Sequence, residues 1–127
     1  MYALTVRRPW AWAIIHGGKD IENRSWHPGR VVGQRIAIHA GQGDDWTPDL
    51  ARRIYELTGV EVPQPGMLTG IIGTVRVVGT TTECISPWCQ RGSPYWWVLA
   101  DPKPLERPIA CRGRLGLWTL PENVCLS

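Results

Sequence analysis

The stretch RPWAWAIIHGGKDIENRSW, residues 8–26, holds three tryptophans and several charges around a pair of adjacent glycines. Pro9 stands at the expected start of a short helix, because its fixed φ suits the first helical position. The Gly-Gly pair would end that helix and let the chain turn sharply. From Asp20 onwards the pattern changes to a period of two, which is typical of a strand. This stretch therefore predicts a helix followed closely by a strand.

The charged residues of the stretch fall together in space on this interpretation. In a strand over residues 20–26 the side chains of Glu22, Arg24 and Trp26 point to the same side. Lys19 follows the helix end directly. It could cap the helix carbonyls, but lysine is rarely buried, so a purely structural role is the hardest to assign to it. These residues are the first candidates for a functional site.

The rest of the chain alternates between strand and helix patterns. A second helix is predicted to run from the N-cap Thr47 and Pro48 to its end at Gly59. Its apolar stripe is made of Leu50, Ile54 and Leu57, and Arg53 lies away from that stripe. Further strands are predicted over residues 3–7, 35–40, 67–78, 95–100 and 115–120. We expect the strand over 67–78 to bend at its glycines and the strand over 115–120 to close the sheet. We expect one α+β domain over residues 1–127, a small mixed β-barrel of five to six strands with two or more flanking helices.

Composition restricts the class of protein. The 127 residues carry fourteen Lys and Arg against eleven Asp and Glu, a net charge of +3, and twelve of the fourteen cations are Arg. Arginine binds phosphate bidentately and stacks on bases, although arginine-rich composition also follows from GC-rich coding. No apolar run approaches the length of a membrane span, and no signal peptide is evident, so a cytoplasmic protein without a membrane partner is expected.

The cysteines and histidines give no sign of a metal or cofactor. Cys84, Cys89, Cys111 and Cys125 match no zinc or redox spacing, so we expect reduced, mostly buried thiols. Two of the three histidines, His16 and His27, have no Cys or Asp beside them at the spacing of a metal site or of a catalytic nucleophile. No metal and no cofactor is therefore assigned.

Several runs of the sequence resemble the ASCH domain family (activating signal cointegrator 1 homology). They are LTVRRPWAWAIIHGGKDIENRSW, GQRIAIHAG, GMLTGIIGTVRVVG and YWWVLADPKPLERPIACRGRLGLW, and together they span nearly the whole chain. The resemblance implies a PUA-like β-barrel, related to modules that read nucleic acids, with a cleft walled by the first run. The residues that match the family's motif positions are Trp10, Lys19, Glu22, Arg24, Trp26 and His39.

Each of these residues also has a structural interpretation. Trp10 could belong to the core, Glu22 and Arg24 could form an ion pair that braces the barrel, and His39 could be a buried histidine with both nitrogens satisfied. We expect the six residues to line one concave surface, and we expect Lys19 and Arg24 to face the same side of it.

Two classes of function remain open. The first, which we favour, is a module that binds RNA or DNA, in which arginines hold phosphates while aromatic side chains stack on a splayed base. The candidate phosphate ligands are Arg7, Arg8, Arg30, Arg112 and Arg114, and the candidate stacking residues are Trp26 and one of Tyr95, Trp96 and Trp97.

The second class is a hydrolase. Some ASCH-type domains resemble N4-acetylcytidine amidohydrolases, and others are linked to ribonuclease activity. The amidohydrolase pattern places a threonine three residues after its lysine, whereas this chain has Glu22 three residues after Lys19. The alternative therefore uses Lys19 and Glu22 as an acid/base pair, which would need pKa values shifted toward neutrality. An ion pair between them would oppose that shift.

Overall fold

The computed structural model describes residues 1–64 and 69–126. Its strands are β1 (Tyr2–Arg8), β2 (Ile21–Arg24), β3 (Arg35–Asp44), β4 (Gly70–Thr81), β5 (Tyr95–Ile109) and β6 (Leu117–Thr119). Its helices are α1 (Trp10–His16) and α2 (Pro48–Thr58), and a short 3-10 turn spans Gly29–Val31. The predicted α+β class, with six strands and two helices, is therefore confirmed. In the part of the chain described, no helix has the length and hydropathy needed to cross a membrane.

The six strands form one mixed sheet in the order β2-β5-β4-β3-β1-β6. Strands β1 and β3 run parallel, and every other neighbouring pair is antiparallel. Strands β2 and β6 lie at the two ends of this order, so the sheet is not closed and the predicted barrel is not confirmed. Strand β6, which was expected to close the sheet, is only three residues long and pairs with β1 alone.

The main core lies between α1 and the sheet. Ala11, Ile14 and Ile15 of the helix are buried against strand residues that include Leu4, Ile36, Ile38, Val75 and the fully buried Trp97. Burying one such aliphatic side chain stabilises the fold by about 1.5–3 kcal/mol. The helix pattern predicted from residues 9–16 thus forms because its apolar face has a sheet to cover.

Strand β5 is much longer than the predicted 95–100, because it continues through three prolines to Ile109. Strand β2 pairs with β5 only over Tyr95–Val98, and beyond that point β5 pairs with β4 alone. A proline removes a backbone N–H, which interrupts a central strand and is tolerated at an edge. Pro102, Pro104 and Pro108 are therefore compatible with the strand, and the predicted end at residue 100 was wrong.

Strand β4 begins and ends later than predicted. Residues 67 and 68 of the predicted strand lie outside the described residues, and the strand runs on past Val78 to Thr81. Its pairing with β5 shifts register between Ile71 and Gly73, next to the glycines where a bend was expected.

Helix α2 follows its sequence signals closely at both ends. The Thr47 side chain accepts a hydrogen bond from the Leu50 backbone N–H, and Gly59 ends the helix in the left-handed conformation. Ile54 is buried, but Leu57 is 66% exposed. The apolar stripe therefore packs against the core at its centre and is open to solvent at its end.

The prediction of four reduced, mostly buried cysteines was wrong. Cys84 and Cys89 form a disulfide, Cys111 is half-buried and Cys125 is exposed. The two cysteines are five residues apart in the segment after β4, which folds back over β2. There the Asn23 side chain donates to the Trp88 carbonyl and accepts from the Gln90 N–H. Sequence spacing alone does not show that fold-back.

Candidate functional site

A cleft of about 1310 Å³ opens on one side of the sheet. The ends of β1, β2 and β3 form its floor, and α2, residues 87–90 and residues 110–116 form its walls. We call residues 110–116, which connect β5 to β6, the arginine loop, because it carries Arg112 and Arg114. Eight predicted site residues line the cleft, namely Arg7, Trp10, Lys19, Glu22, Arg24, His39, Arg112 and Arg114.

A buried ionic network forms part of the floor. The Lys19 ammonium donates to Glu22 Oε1 at 3.0 Å and to the Ile21 carbonyl, and Arg24 Nε donates to Glu22 Oε2 at 2.9 Å. Only 4% of Lys19 and 5% of Glu22 is exposed. Gly18, with φ of +75°, lets the chain reverse after α1 and brings Lys19 into this position. The predicted ion pair between Glu22 and Arg24 is confirmed, and Lys19 joins it.

Arg24 has further partners besides Glu22. Its second guanidinium nitrogen donates to the Thr5 carbonyl at 2.9 Å, and its guanidinium carbon lies 5.8 Å from the Trp26 ring centroid. Arg24 therefore ties β2 to β1 across the floor. Two of its five N–H donors are thus used within the protein.

His39 lies beside Thr5 because β1 and β3 pair in parallel register. The imidazole Nε2 lies 2.7 Å from the Cys111 carbonyl, which can only accept, so Nε2 carries a proton. The Thr5 hydroxyl accepts from Trp118 Nε1 at 3.0 Å and lies 3.4 Å from His39 Nδ1, toward which its own proton can point. The expected buried histidine with both nitrogens satisfied is therefore confirmed.

Trp10 lines the cleft with its ring held by a carboxylate. Its Nε1 donates to Asp45 Oδ2 at 3.0 Å, and Arg7 Nε donates to Asp45 Oδ1 at 2.9 Å. The hydrogen bond from Arg7 lowers the pKa of the Asp45 carboxyl, partial burial opposes this, and the Trp10 bond lowers it further. Trp10 is half-buried and also packs against the core, so the two interpretations of this residue do not exclude one another.

The rim of the cleft carries cations of a different kind. Arg53 on α2, and Arg112 and Arg114 on the arginine loop, are exposed. None of the three forms an ion pair with a residue in the described part of the chain. Together with the floor, the described cleft lining holds six Lys and Arg side chains against two carboxylates. The cleft is therefore cationic.

Four predicted site residues lie outside the cleft lining. Strand β2 ends at Arg24, so alternation no longer directs Trp26, which packs edge-on against Trp97 with ring centroids 4.9 Å apart. The other three each have a partner elsewhere: Arg30 donates to the Tyr2 hydroxyl, Tyr95 packs edge-on against His27, and Trp96 donates to the Gln90 carbonyl.

Arg8, a candidate phosphate ligand, also lies outside the cleft lining. Its guanidinium donates to the Gln42 carbonyl at 3.1 Å and lies 3.9 Å from the Asp44 carboxylate. Both partners belong to β3, because the parallel pairing of β1 and β3 continues to this point. The side chain is therefore used inside the sheet.

Sequence reasoning missed Thr5, Asp45, Arg53 and Gly113 as parts of the site. The parallel pairing of β1 with β3 brings Thr5 and Asp45 there, and no local pattern predicts which strands pair. Arg53 was placed only on the polar side of α2. Among the described residues, no group of three or more His, Cys, Asp and Glu side chains is arranged to hold a metal ion.

Comparison with known proteins agrees with this architecture. A family model described as the ASCH domain matches residues 4–109. The fold is similar to that of a mutant ZmASCH protein from Zymomonas mobilis, with a TM-score of 0.56 and 14% identity over 95% of this chain and 88% of that one. At that identity the likeness is one of fold alone. No curated protein sequence matches the chain. Since the family match covers most of its length, the chain belongs to the ASCH domain family.

Proposed function

We propose that this protein is a nucleic-acid-binding module that takes single-stranded RNA or DNA into the cationic cleft. The observation that carries the proposal is the set of three exposed arginines, Arg53, Arg112 and Arg114, around one cleft and without ionic partners among the described residues. A guanidinium that is free of internal partners can bind phosphate bidentately without first breaking an ion pair.

The other surfaces of the cleft suit the bases of a single strand. Trp10, Leu50 and Leu57 give it an apolar side, and the ring of Trp10 is fixed in orientation by Asp45. Aromatic and apolar surface beside a row of cations is the usual arrangement for unpaired nucleotides, whose bases stack while their phosphates are neutralised. Trp10 therefore replaces Trp26 as our candidate stacking residue.

The hydrolase alternative gains no support from the geometry. Lys19 and Glu22 are bonded to each other, and both carboxylate oxygens of Glu22 accept from protein donors, Oε1 from Lys19 and Oε2 from Arg24. The carboxylate is therefore held by neighbouring side chains and is not presented to a substrate. The buried network fits a structural role under the binding surface.

The test measures affinity for a short single-stranded RNA and a single-stranded DNA of the same sequence across a fivefold range of salt. On a single strand, log K falls with log salt by about 0.7 for each phosphate neutralised. We expect wild type to show a slope that corresponds to three or more contacts. The double variant Arg112→Ala with Arg114→Ala should lose about 1.4 from that slope.

The matched control is Arg76→Ala with Arg107→Ala, which removes the same charge from two exposed positions outside the cleft. It should leave the slope nearly unchanged. Equal slopes in the two double variants would show that the cleft is not the interface. Turnover of N4-acetylcytidine or cleavage of the RNA by wild type, lost in Lys19→Ala, would replace the binding proposal with the hydrolase alternative.

A further inference from the structure

We infer that His39 is a positioning residue, which holds the arginine loop over the cleft and thereby fixes where Arg112 and Arg114 meet a ligand. The functional consequence rests on the proposed function, because it concerns the same two arginines. His39 lies in the floor of the cleft, but it acts through the loop and does not contact the nucleic acid.

The first observation is the way in which the loop rests on the imidazole. His39 Nε2 donates to the carbonyl of Cys111, the residue directly before Arg112, at 2.7 Å. Gly113, which separates the two arginines, lies against the same ring. A Cβ at Gly113 would fall 2.4 Å from His39 Cε1 and 2.6 Å from Nδ1. The loop therefore contacts the ring on both sides of Arg112, and only a glycine fits at that approach.

The second observation is that the imidazole itself is held in place. The Thr5 hydroxyl lies at Nδ1, and Trp118 both donates to that hydroxyl and packs edge-on against the imidazole with centroids 5.6 Å apart. Trp118 belongs to β6, the strand that follows the loop. The far end of the loop is attached as well, since the Thr5 N–H lies 3.4 Å from the Gly116 carbonyl.

These contacts leave His39 little capacity to bind a ligand. Only 5% of the residue is exposed, and both ring nitrogens have partners. The two arginines between its contacts are in contrast exposed and without ionic partners in the described chain. A loop that is already ordered loses less conformational entropy when it binds, so a residue that fixes the loop raises affinity without touching the ligand.

A double-mutant cycle tests this division of roles. His39→Leu removes the donor to Cys111 at similar volume and is measured in wild type and in the Arg112→Ala, Arg114→Ala background. We expect about tenfold weaker RNA binding in the first background and less than about twofold in the second, because the loop then carries no charge to position. Equal losses in the two backgrounds would contradict the inference.

Two further variants separate positioning from a general loss of folding. In His39→Gln the amide nitrogen can take the place of Nε2 and donate to Cys111, so it should recover most of the affinity. Gly113→Ala places a methyl group against the ring and should weaken binding as His39→Leu does. Circular dichroism of each variant must match wild type at the assay temperature for its affinity to be used.

Hydrogen exchange of the loop amides tests the positioning role of His39 without RNA, and therefore separately from the proposed function. In His39→Leu the backbone amides of residues 112–116 should exchange at least about tenfold faster than in wild type, while those of β3 and β4 change little. Faster loop exchange combined with unaltered RNA affinity in the arginine double variant would refute the proposed function and leave the loop attachment established. Unchanged loop exchange would refute the positioning role itself.

Discussion

Two groups of charged residues line the same cleft and differ in almost every physical respect. In the floor, the side chains of Lys19, Glu22 and Arg24 are 3%, 7% and 20% exposed and are bonded to one another. On the rim, Arg112 and Arg114 are exposed and have no ion pair with any residue described. A charge taken from water must be compensated inside the protein, whereas an exposed charge remains available to a partner.

The comparison shows that residue type and motif position do not separate structure from binding. Lys19 and Arg24 belong to the motif of residues 8–26, and both are bonded to its Glu22. The arginines of the loop lie near the end of the chain, outside the residues that the family model matches. The most conspicuous charges in the sequence are therefore paired inside the protein, and the less conspicuous ones are the better candidates for ligand contact.

The largest expected effect comes from breaking the buried network. Glu22→Ala leaves Lys19 and Arg24 in the floor without the carboxylate that they share, whose side chain is 7% exposed. Removing one partner of a buried ion pair typically costs 3–5 kcal/mol, so we expect the free energy of unfolding to fall by about that amount. Urea denaturation of wild type and variant measures it. A loss below about 1 kcal/mol is what an exposed ion pair gives, and it would show that the floor and the rim do not differ in stability.

Removing the disulfide tests whether the cleft wall of residues 87–90 contributes to stability, as the buried charges of the floor are expected to do. Replacing Cys84 and Cys89 by serine reopens a loop of six residues, and loop entropy predicts a loss of about 2 kcal/mol from the free energy of unfolding. Thermal unfolding with and without a reductant measures the same difference. If the serine variant instead keeps its stability and loses RNA affinity, this wall acts as part of the binding surface.

The rim arginines should behave in the opposite way to Glu22. Arg112→Ala and Arg114→Ala, made singly, should each change the free energy of unfolding by less than about 0.5 kcal/mol. Each should lower the salt slope of RNA binding by about 0.7. Titrations at several salt concentrations, paired with urea denaturation of the same samples, give both quantities. A rim variant that unfolds more readily than wild type would remove the distinction between floor and rim.

Replacing Asp45 should give the smallest change in the free energy of unfolding, and the direction of that change with pH follows from the pKa of its carboxyl. Arg7 and Trp10 hold the pKa of its carboxyl below the ordinary value of about 4, so the ionised form is favoured in the folded state. The resulting stability is fully present above that value and is lost as the pH falls through the lowered pKa. Asp45→Asn should therefore be less stable than wild type at neutral pH, and the two should converge in acid. A gap that widens in acid would contradict this assignment.

The sequence was most informative where local chemistry decides the structure. The N-cap at Thr47, the end of α2 at Gly59 and the alternation that places Glu22 and Arg24 side by side were all predicted correctly, because each depends on residues a few positions apart. The charge of the cleft was also foreseeable from the excess of arginine. These features need no knowledge of which strands pair.

The remainder depends on long-range pairing that no local pattern encodes. The parallel pairing of β1 with β3 places Thr5 against His39, and the bonds from Asn23 to Trp88 and Gln90 hold the disulfide-bonded segment over β2. The partners of Lys19, Glu22 and the Ile21 carbonyl, are only two to three residues away, so local reasoning could reach its ion pair but not its burial. Local patterns also do not show that β2 and β6 lie at opposite ends of the sheet and leave it open.

The prolines of β5 have a consequence for how the protein behaves in a crowded solution. From Ala100 onwards no described strand pairs with the outer side of β5, so this length of backbone could accept a strand from another molecule. Pro102, Pro104 and Pro108 lack a backbone N–H, so at three positions this stretch has no donor to offer an incoming strand. A strand edge that lacks donors is a poor template for intermolecular pairing, so these prolines oppose aggregation through the outer side of β5.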